Sequence, residues 1–110
     1  IAQAGKQGLV LTSTGGGSRC MGVRVFHAGR LDVDNGIGVD IAAPGHQFVQ
    51  CYTQDCFSHG YAFGSSATRI IMEGCVSNAN WVDAWRLDAA SDVTISAGYC
   101  GSVGGSNKKR

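Results

Sequence analysis

One proline, 15% charged residues and no stretch with a helical period are the conspicuous shortages of this 110-residue chain. A net charge of +1 gives no electrostatic footprint for nucleic acid or for an anionic membrane surface. Hydrophobic residues make up 44% of the chain, but they never run together long enough to span a bilayer. Residues 1–10 lack the charged start and apolar core of a signal peptide. The glycine run Thr14-Gly15-Gly16-Gly17-Ser18 is followed by no Lys-Ser/Thr pair and no helix, so it is read as a loop and not a phosphate cradle.

Cysteine is present, but not in the pattern of a framework. Five is an odd number, and secreted disulfide scaffolds use even counts. No CxxC pair occurs. Cys51 and Cys56 have four residues between them and no matching second pair, so no zinc site is expected. Neither a metal nor a cofactor is expected. Cys51 and Cys75 lie 24 residues apart and are read as stacked free thiols packing as small hydrophobes, with a cross-rung bridge as the alternative. Free thiols suit assembly in a reducing cytoplasm.

What the chain has is a repeat. Three short stretches alternate large apolar with small or polar residues: Gly36-Ile37-Gly38-Val39-Asp40, Gly60-Tyr61-Ala62-Phe63-Gly64 and Ala84-Trp85-Arg86-Leu87-Asp88. Alternation of this kind marks half-buried strands. Ile37, Tyr61 and Trp85 are spaced by 24 and 24, as are Val39, Phe63 and Leu87, and a strand recurring at such a period is the signature of a solenoid. A second series, Val25, Phe48, Ile71 and Ile95, steps by 23, 23 and 24, with the slip placed at a bulge beside Gly74. Each coil therefore carries at least two strands, joined by turns rich in Gly, Asn, Asp and Ser. Val39, Phe63 and Leu87 are expected to point inward.

The fold class expected is all-β: a right-handed parallel β-helix of about four coils with a period near 24, a segment of a longer helix. Residues 1–19 read as an N-terminal strand (Gly8 to Thr12) and the glycine-rich loop, 20–107 as the coils, and 108–110 as a basic tail. A short stack has two open ends, and solenoids need polar caps. Uncovered ends are strand edges that aggregate or pair, so the chain is expected to continue beyond this segment or to associate.

Equivalent positions on successive coils form columns, and three could carry chemistry. Asn35, His59 and Asp83 share one column at 24-residue steps, which sets His59 about 4.8 Å from Asp83, close enough for charge coupling and acid/base work. The plainer reading makes them turn residues that cap the strand starts. Asp40 and Asp88 share a second column two rungs apart, on the order of 10 Å, near the 6.5–9.5 Å range of an inverting carboxylate pair. Gly64 leaves a gap between them, although turns rich in Asp produce such pairs by chance. Val33, Phe57 and Trp81 form a third column, and either Trp81 or Trp85 is a candidate to present a flat ring to a sugar. The other reading buries both rings in aromatic ladders. Ser58 lies beside His59, but no G-x-S-x-G surrounds it.

Short strands at a low-twenties period, Asn/Gly-rich turns, and segments such as Gly36-Ile37-Gly38-Val39-Asp40-Ile41 and Ala90-Ser91-Asp92-Val93-Thr94-Ile95 resemble the right-handed parallel β-helix superfamily, which includes pectate lyases and phage tailspikes. The resemblance covers roughly residues 20 to 100 and carries fold more than activity. Unpaired cysteines and the missing signal peptide look more like a tailspike than a secreted lyase. The resemblance implies a homotrimer in the virion tail that recognises, and in some members cleaves, a bacterial surface polysaccharide. A secreted lyase or hydrolase and a non-catalytic adhesin coil are the alternatives. A calcium-dependent lyase site would need a carboxylate cluster with an Arg base. Asp32 and Asp34 with Arg30 or Arg86 are present, but they match no motif.

Overall fold

The computed structural model describes residues 1, 4–11, 18–29, 31 and 35–101. Its strands are β1 (Leu9–Leu11), β2 (Arg19–Met21), β3 (Arg24–Phe26), β4 (Val39–Ile41), β5 (Gln47–Val49), β6 (Tyr52–Gln54), β7 (Tyr61–Phe63), β8 (Thr68–Glu73), β9 (Val76–Asn78), β10 (Trp85–Leu87), β11 (Ser91–Ser96) and β12 (Tyr99–Cys100). They assemble into three four-stranded sheets: β1-β4-β7-β10, β2-β5-β8-β11 and β3-β6-β9-β12. Every pairing is parallel. The chain winds about three turns as a β-solenoid, three strands to the coil, with a period near 24. β1 already belongs to the stack, as the edge strand beside β4.

Alternation decides which face is core. In β4 and β7 the outer pair of each triplet, Val39 and Ile41, then Tyr61 and Phe63, is buried, while Asp40 and Ala62 between them face out. Phe48, Ile70 and Met72 close the core from the second sheet, and Val25, Thr53 and Ser77 from the third. Leu87 is aligned with Phe63 and stands in the inward phase, yet it is 51% exposed. It lies on the outermost described rung, and no further described coil covers it. Tyr99, on the same rung, is 60% exposed. Leu87 thus keeps the inward phase expected of it, and its exposure follows from its place on the outermost described rung.

The register departs from the even 24-residue step at several rungs, with steps of 30 from Leu9 to Val39, 28 from Arg19 to Gln47 and 23 from Ile70 to Val93, and the departure that moves the expected columns lies between β4 and β7. Val39 pairs with Tyr61, a step of 22, and Tyr61 with Trp85, a step of 24. The column is Leu9–Val39–Tyr61–Trp85, and Ile37 is not in it. The neighbouring column is Leu11–Ile41–Phe63–Leu87. A shift of two residues leaves every side chain on the same face of a strand, which is why alternation could not reveal it. The second series is also reassigned. Phe48 aligns with Met72, and Met72 with Ile95. Ile71 aligns with Gln47 and Thr94 and is exposed, while Val25 belongs to the third sheet beside Thr53.

Gly74 is not an inserted bulge residue. It occupies the corner between β8 and β9 with φ +64°, and the equivalent corners are Gly22 (+64°), Gln50 (+53°) and Ala97 (+52°). A second corner stacks His27, Asp55 and Ala79, and a third Gly45, Arg69 and Asp92, all with positive φ. Left-handed backbone costs an L-residue roughly 1–2 kcal/mol, so at corners such as Gln50, Arg69, Ala79 and Ala97 the sharp bend is imposed by stacking on residues that do not favour it, while Gly22, Gly45 and Gly74 adopt it freely.

Candidate functional site

The strand starts before β4, β7 and β10 continue the rung-to-rung ladder. Gly38 N–H donates to His59 C=O, and Gly60 N–H donates to Asp83 C=O, both at 2.9 Å. His59 therefore stands beside Asp83 on the next rung and beside Ile37 on the previous one. Asn35 lies two residues away from that column and is exposed. The three-membered Asn35–His59–Asp83 column reduces to the His59–Asp83 pair, displaced by the same 22-residue step that moves Ile37.

The pair is in contact. His59 Nδ1 lies 3.2 Å from Asp83 Oδ2. His59 is 9% exposed, whereas the Asp83 side chain is 46% exposed. Burial lowers the His59 pKa from the ordinary imidazole value. Asp83 opposes that shift, and Arg86 adds to it. His59 is thus held neutral near pH 7, one nitrogen turned to a carboxylate. That is the arrangement in which a histidine can take or give a proton.

A groove of about 210 Å³ crosses the outer face of the first sheet, lined by Asp40, His59, Ala62, Gly64, Arg86 and Asp88 among others. Three of the four candidate catalytic residues converge there, and Asp83, which is not in the lining, reaches the groove only through its contact with His59. Asp40 is half-buried, and its Oδ2 accepts a hydrogen bond from Gln7 Nε2 at 3.3 Å. Asp40 aligns with Ala62, and Ala62 with Arg86, so a carboxylate and a guanidinium flank a methyl group across three rungs. Asp88 stands two residues beyond Arg86, exposed. Asp40 and Asp88 therefore line one groove without sharing a column, contrary to the 24-residue reading. Arg86, weighed from the sequence only as a lyase base, lines the groove from β10. Its signal was its place between Trp85 and Leu87, which puts it on the outward face.

Neither tryptophan offers a bare ring in the groove. Trp81 stacks on Phe57 with centroids 4.2 Å apart and planes 17° apart. Trp85 occupies the inward column and stacks on Tyr61 at 5.6 Å and 13°. Each ring is thus stacked on an aromatic residue of the adjacent rung, and both tryptophans are half-buried. Val33, Asp32, Asp34, Arg30, the glycine-rich loop from Thr14 to Gly17 and the basic tail 108–110 lie outside the described residues.

The cysteines are free: Cys51, Cys56 and Cys75 buried, Cys20 half-buried and Cys100 exposed. Among the described residues no group of three or more His, Cys, Asp or Glu side chains is placed to hold a metal ion. No family model matches the chain, and neither a curated protein nor a solved structure matches it.

Proposed function

We propose that this β-solenoid is a glycan-recognition module whose ligand lies in the groove of the first sheet. The observation that supports it is the convergence of Asp40, His59, Arg86 and Asp88 on one open face. Charged and amide-bonded side chains held on rigid strands are what orients hydroxyl-rich ligands. The resemblance to tailspikes extends the proposal: a homotrimeric phage receptor-binding protein, assembled in the host cytoplasm and carried on the virion tail, whose partner is a bacterial surface polysaccharide. Five free thiols are consistent with a reducing compartment.

Binding is the primary reading, because Asp40 and Asp88 share no column: they are two rungs apart and two positions out of line, with Cα atoms separated by roughly 12 Å. The 6.5–9.5 Å spacing of inverting hydrolysis is measured between carboxyl groups, which the side-chain rotamers of the two residues set. His59 with Asp83 is the acid/base pair available if cleavage occurs.

A panel of purified bacterial polysaccharides, tested for binding to the full chain and for release of new reducing ends, examines both readings. Binding that falls about tenfold, roughly 1.4 kcal/mol, on Asp40→Ala supports the proposal. Failure of every glycan to bind a folded protein removes it. Reducing ends that disappear in His59→Gln, with binding kept, would establish cleavage.

A further inference from the structure

We infer that the groove discriminates by charge, taking glycans that carry free amino groups and rejecting those that carry carboxylates. The inference rests on the glycan reading and adds the chemical class of sugar. The lining holds two carboxylates, Asp40 and Asp88, against one guanidinium, Arg86. His59 contributes no compensating positive charge near pH 7, since burial favours its neutral form, and Asp83 adds a third carboxylate 3.2 Å behind it. The local balance is therefore negative although the chain as a whole is +1.

Position strengthens the balance. Ala62 and Gly64 keep the floor low between β4 and β10, so a sugar substituent can descend between Asp40 on one side and Arg86 on the other. Gln7 occupies one oxygen lobe of Asp40 through a neutral amide and leaves its charge in place. An ammonium group on the sugar meets carboxylates along the groove and can keep clear of the single guanidinium. A uronate meets one favourable partner and two repelling ones. Like charges set against one another are the usual means of excluding a wrong ligand.

The experiment compares three size-matched probes on the full chain: oligoglucosamine, oligo-N-acetylglucosamine and oligogalacturonate. At low salt and near neutral pH, oligoglucosamine should bind about tenfold more tightly than its N-acetylated form, the scale of one added charge contact in a partly exposed site. Oligogalacturonate should bind weakest. The preference should shrink as salt rises, because exposed charges are screened. Asp88→Asn should weaken oligoglucosamine by a larger factor than the N-acetylated oligomer, so that the amino-sugar preference shrinks. Equal or tighter binding of oligogalacturonate overturns the charge inference and leaves glycan recognition standing. An amino-sugar preference that Asp88→Asn does not reduce also overturns it. If none of the probes binds and the polysaccharide panel is also negative, glycan recognition falls with it.

Discussion

Asn80 Oδ1 accepts the backbone N–H of Cys56 at 2.9 Å across one rung, and the Asn80 amide donates to Ser77 Oγ at 2.7 Å and Thr53 Oγ1 at 3.2 Å. Asn80, Thr53 and Ser77 are all fully buried. One side chain thus satisfies a backbone group that no strand reaches and ties β6, β9 and the loop after β9 together. Ser77 completes the network by donating to Ala84 C=O at 3.2 Å.

Removing that amide should be costly. Asn80→Ala leaves the Cys56 N–H buried without a partner, a penalty of about 1–3 kcal/mol, with the loss of the Thr53 and Ser77 contacts added. The expected fall in unfolding free energy is roughly 3 kcal/mol, measured by urea denaturation. Asn78→Ala, which loses only a half-buried bond to Tyr52 Oη at 3.4 Å, should cost clearly less. Equal effects would mean that the buried network does not hold the coil.

Thiol accessibility tests the same core by another route. Cys56 is buried, and its pKa is pushed up to about 11, chiefly by desolvation. Cys75 is raised by its hydrogen bond with Cys51 and then by burial. That same contact lowers Cys51, but Cys51 is also buried, so access and not acidity limits its reaction. A small alkylating reagent at pH 8 should modify Cys100 first, Cys20 more slowly, and Cys51, Cys56 and Cys75 only after denaturation. Peptide mass mapping over time reads the order. Rapid modification of Cys75 in the native protein would contradict the packing of β8 against β9.

Acid should weaken the fold through His59. Its folded pKa lies below the ordinary value of about 6.5 that the unfolded chain shows. Between those two values the unfolded state binds more protons, so stability rises with pH there. The contribution is fully present above about pH 6.5 and is lost as pH falls toward the lowered folded value. His59→Gln should flatten that part of a plot of unfolding free energy against pH. A slope unchanged by the substitution would show that Asp83 offsets the cost of burying the imidazolium.

The parts of the fold legible in the sequence were those that follow from alternation. Tyr61 and Phe63 point inward with Ala62 outward because one residue in two meets the core, and Trp85 stacks on Tyr61 because their spacing survived unbroken. The 22-residue step from Val39 to Tyr61 was not legible, since a two-residue slip keeps every residue on its face. That slip separated Asn35 from His59 and moved Asp40 out of line with Asp88, while leaving Asp40, His59 and Asp88 on one groove. The corners at Gln50, Arg69, Ala79 and Ala97 were hidden for another reason: positive φ there comes from neighbouring coils, against the preference of the residue. His46 was missed altogether. It is fully buried, with neither ring nitrogen hydrogen-bonded, at a place where nothing in the local pattern marks an inward position.

Two glycines separate the backbone and packing demands of the stack. At Gly74 the backbone has φ +64°, but an added Cβ would come no closer than 3.5 Å to Gln50 Cγ, an ordinary contact. Gly74→Ala should therefore cost about 1–2 kcal/mol, the left-handed penalty alone, and Gly74→Asn less, because asparagine tolerates that conformation. At Gly60 the demand is steric. A Cβ there would fall 2.6 Å from Asn80 Nδ2 and 2.7 Å from Thr53 Oγ1, inside the buried amide network. Gly60→Ala must displace Asn80, and so combines overpacking of about 1–3 kcal/mol with loss of the Cys56 bond. Gly60→Ala is therefore expected to be the more damaging, and an Asn residue at 60 should offer no relief. Melting of Gly74→Ala, Gly74→Asn, Gly60→Ala and Gly60→Asn side by side decides it. If Gly74→Ala proved as damaging as Gly60→Ala, or Gly74→Asn no better than Gly74→Ala, backbone conformation alone would not explain the corner. The stacking of Gly22, Gln50, Gly74 and Ala97 would then require a different cause.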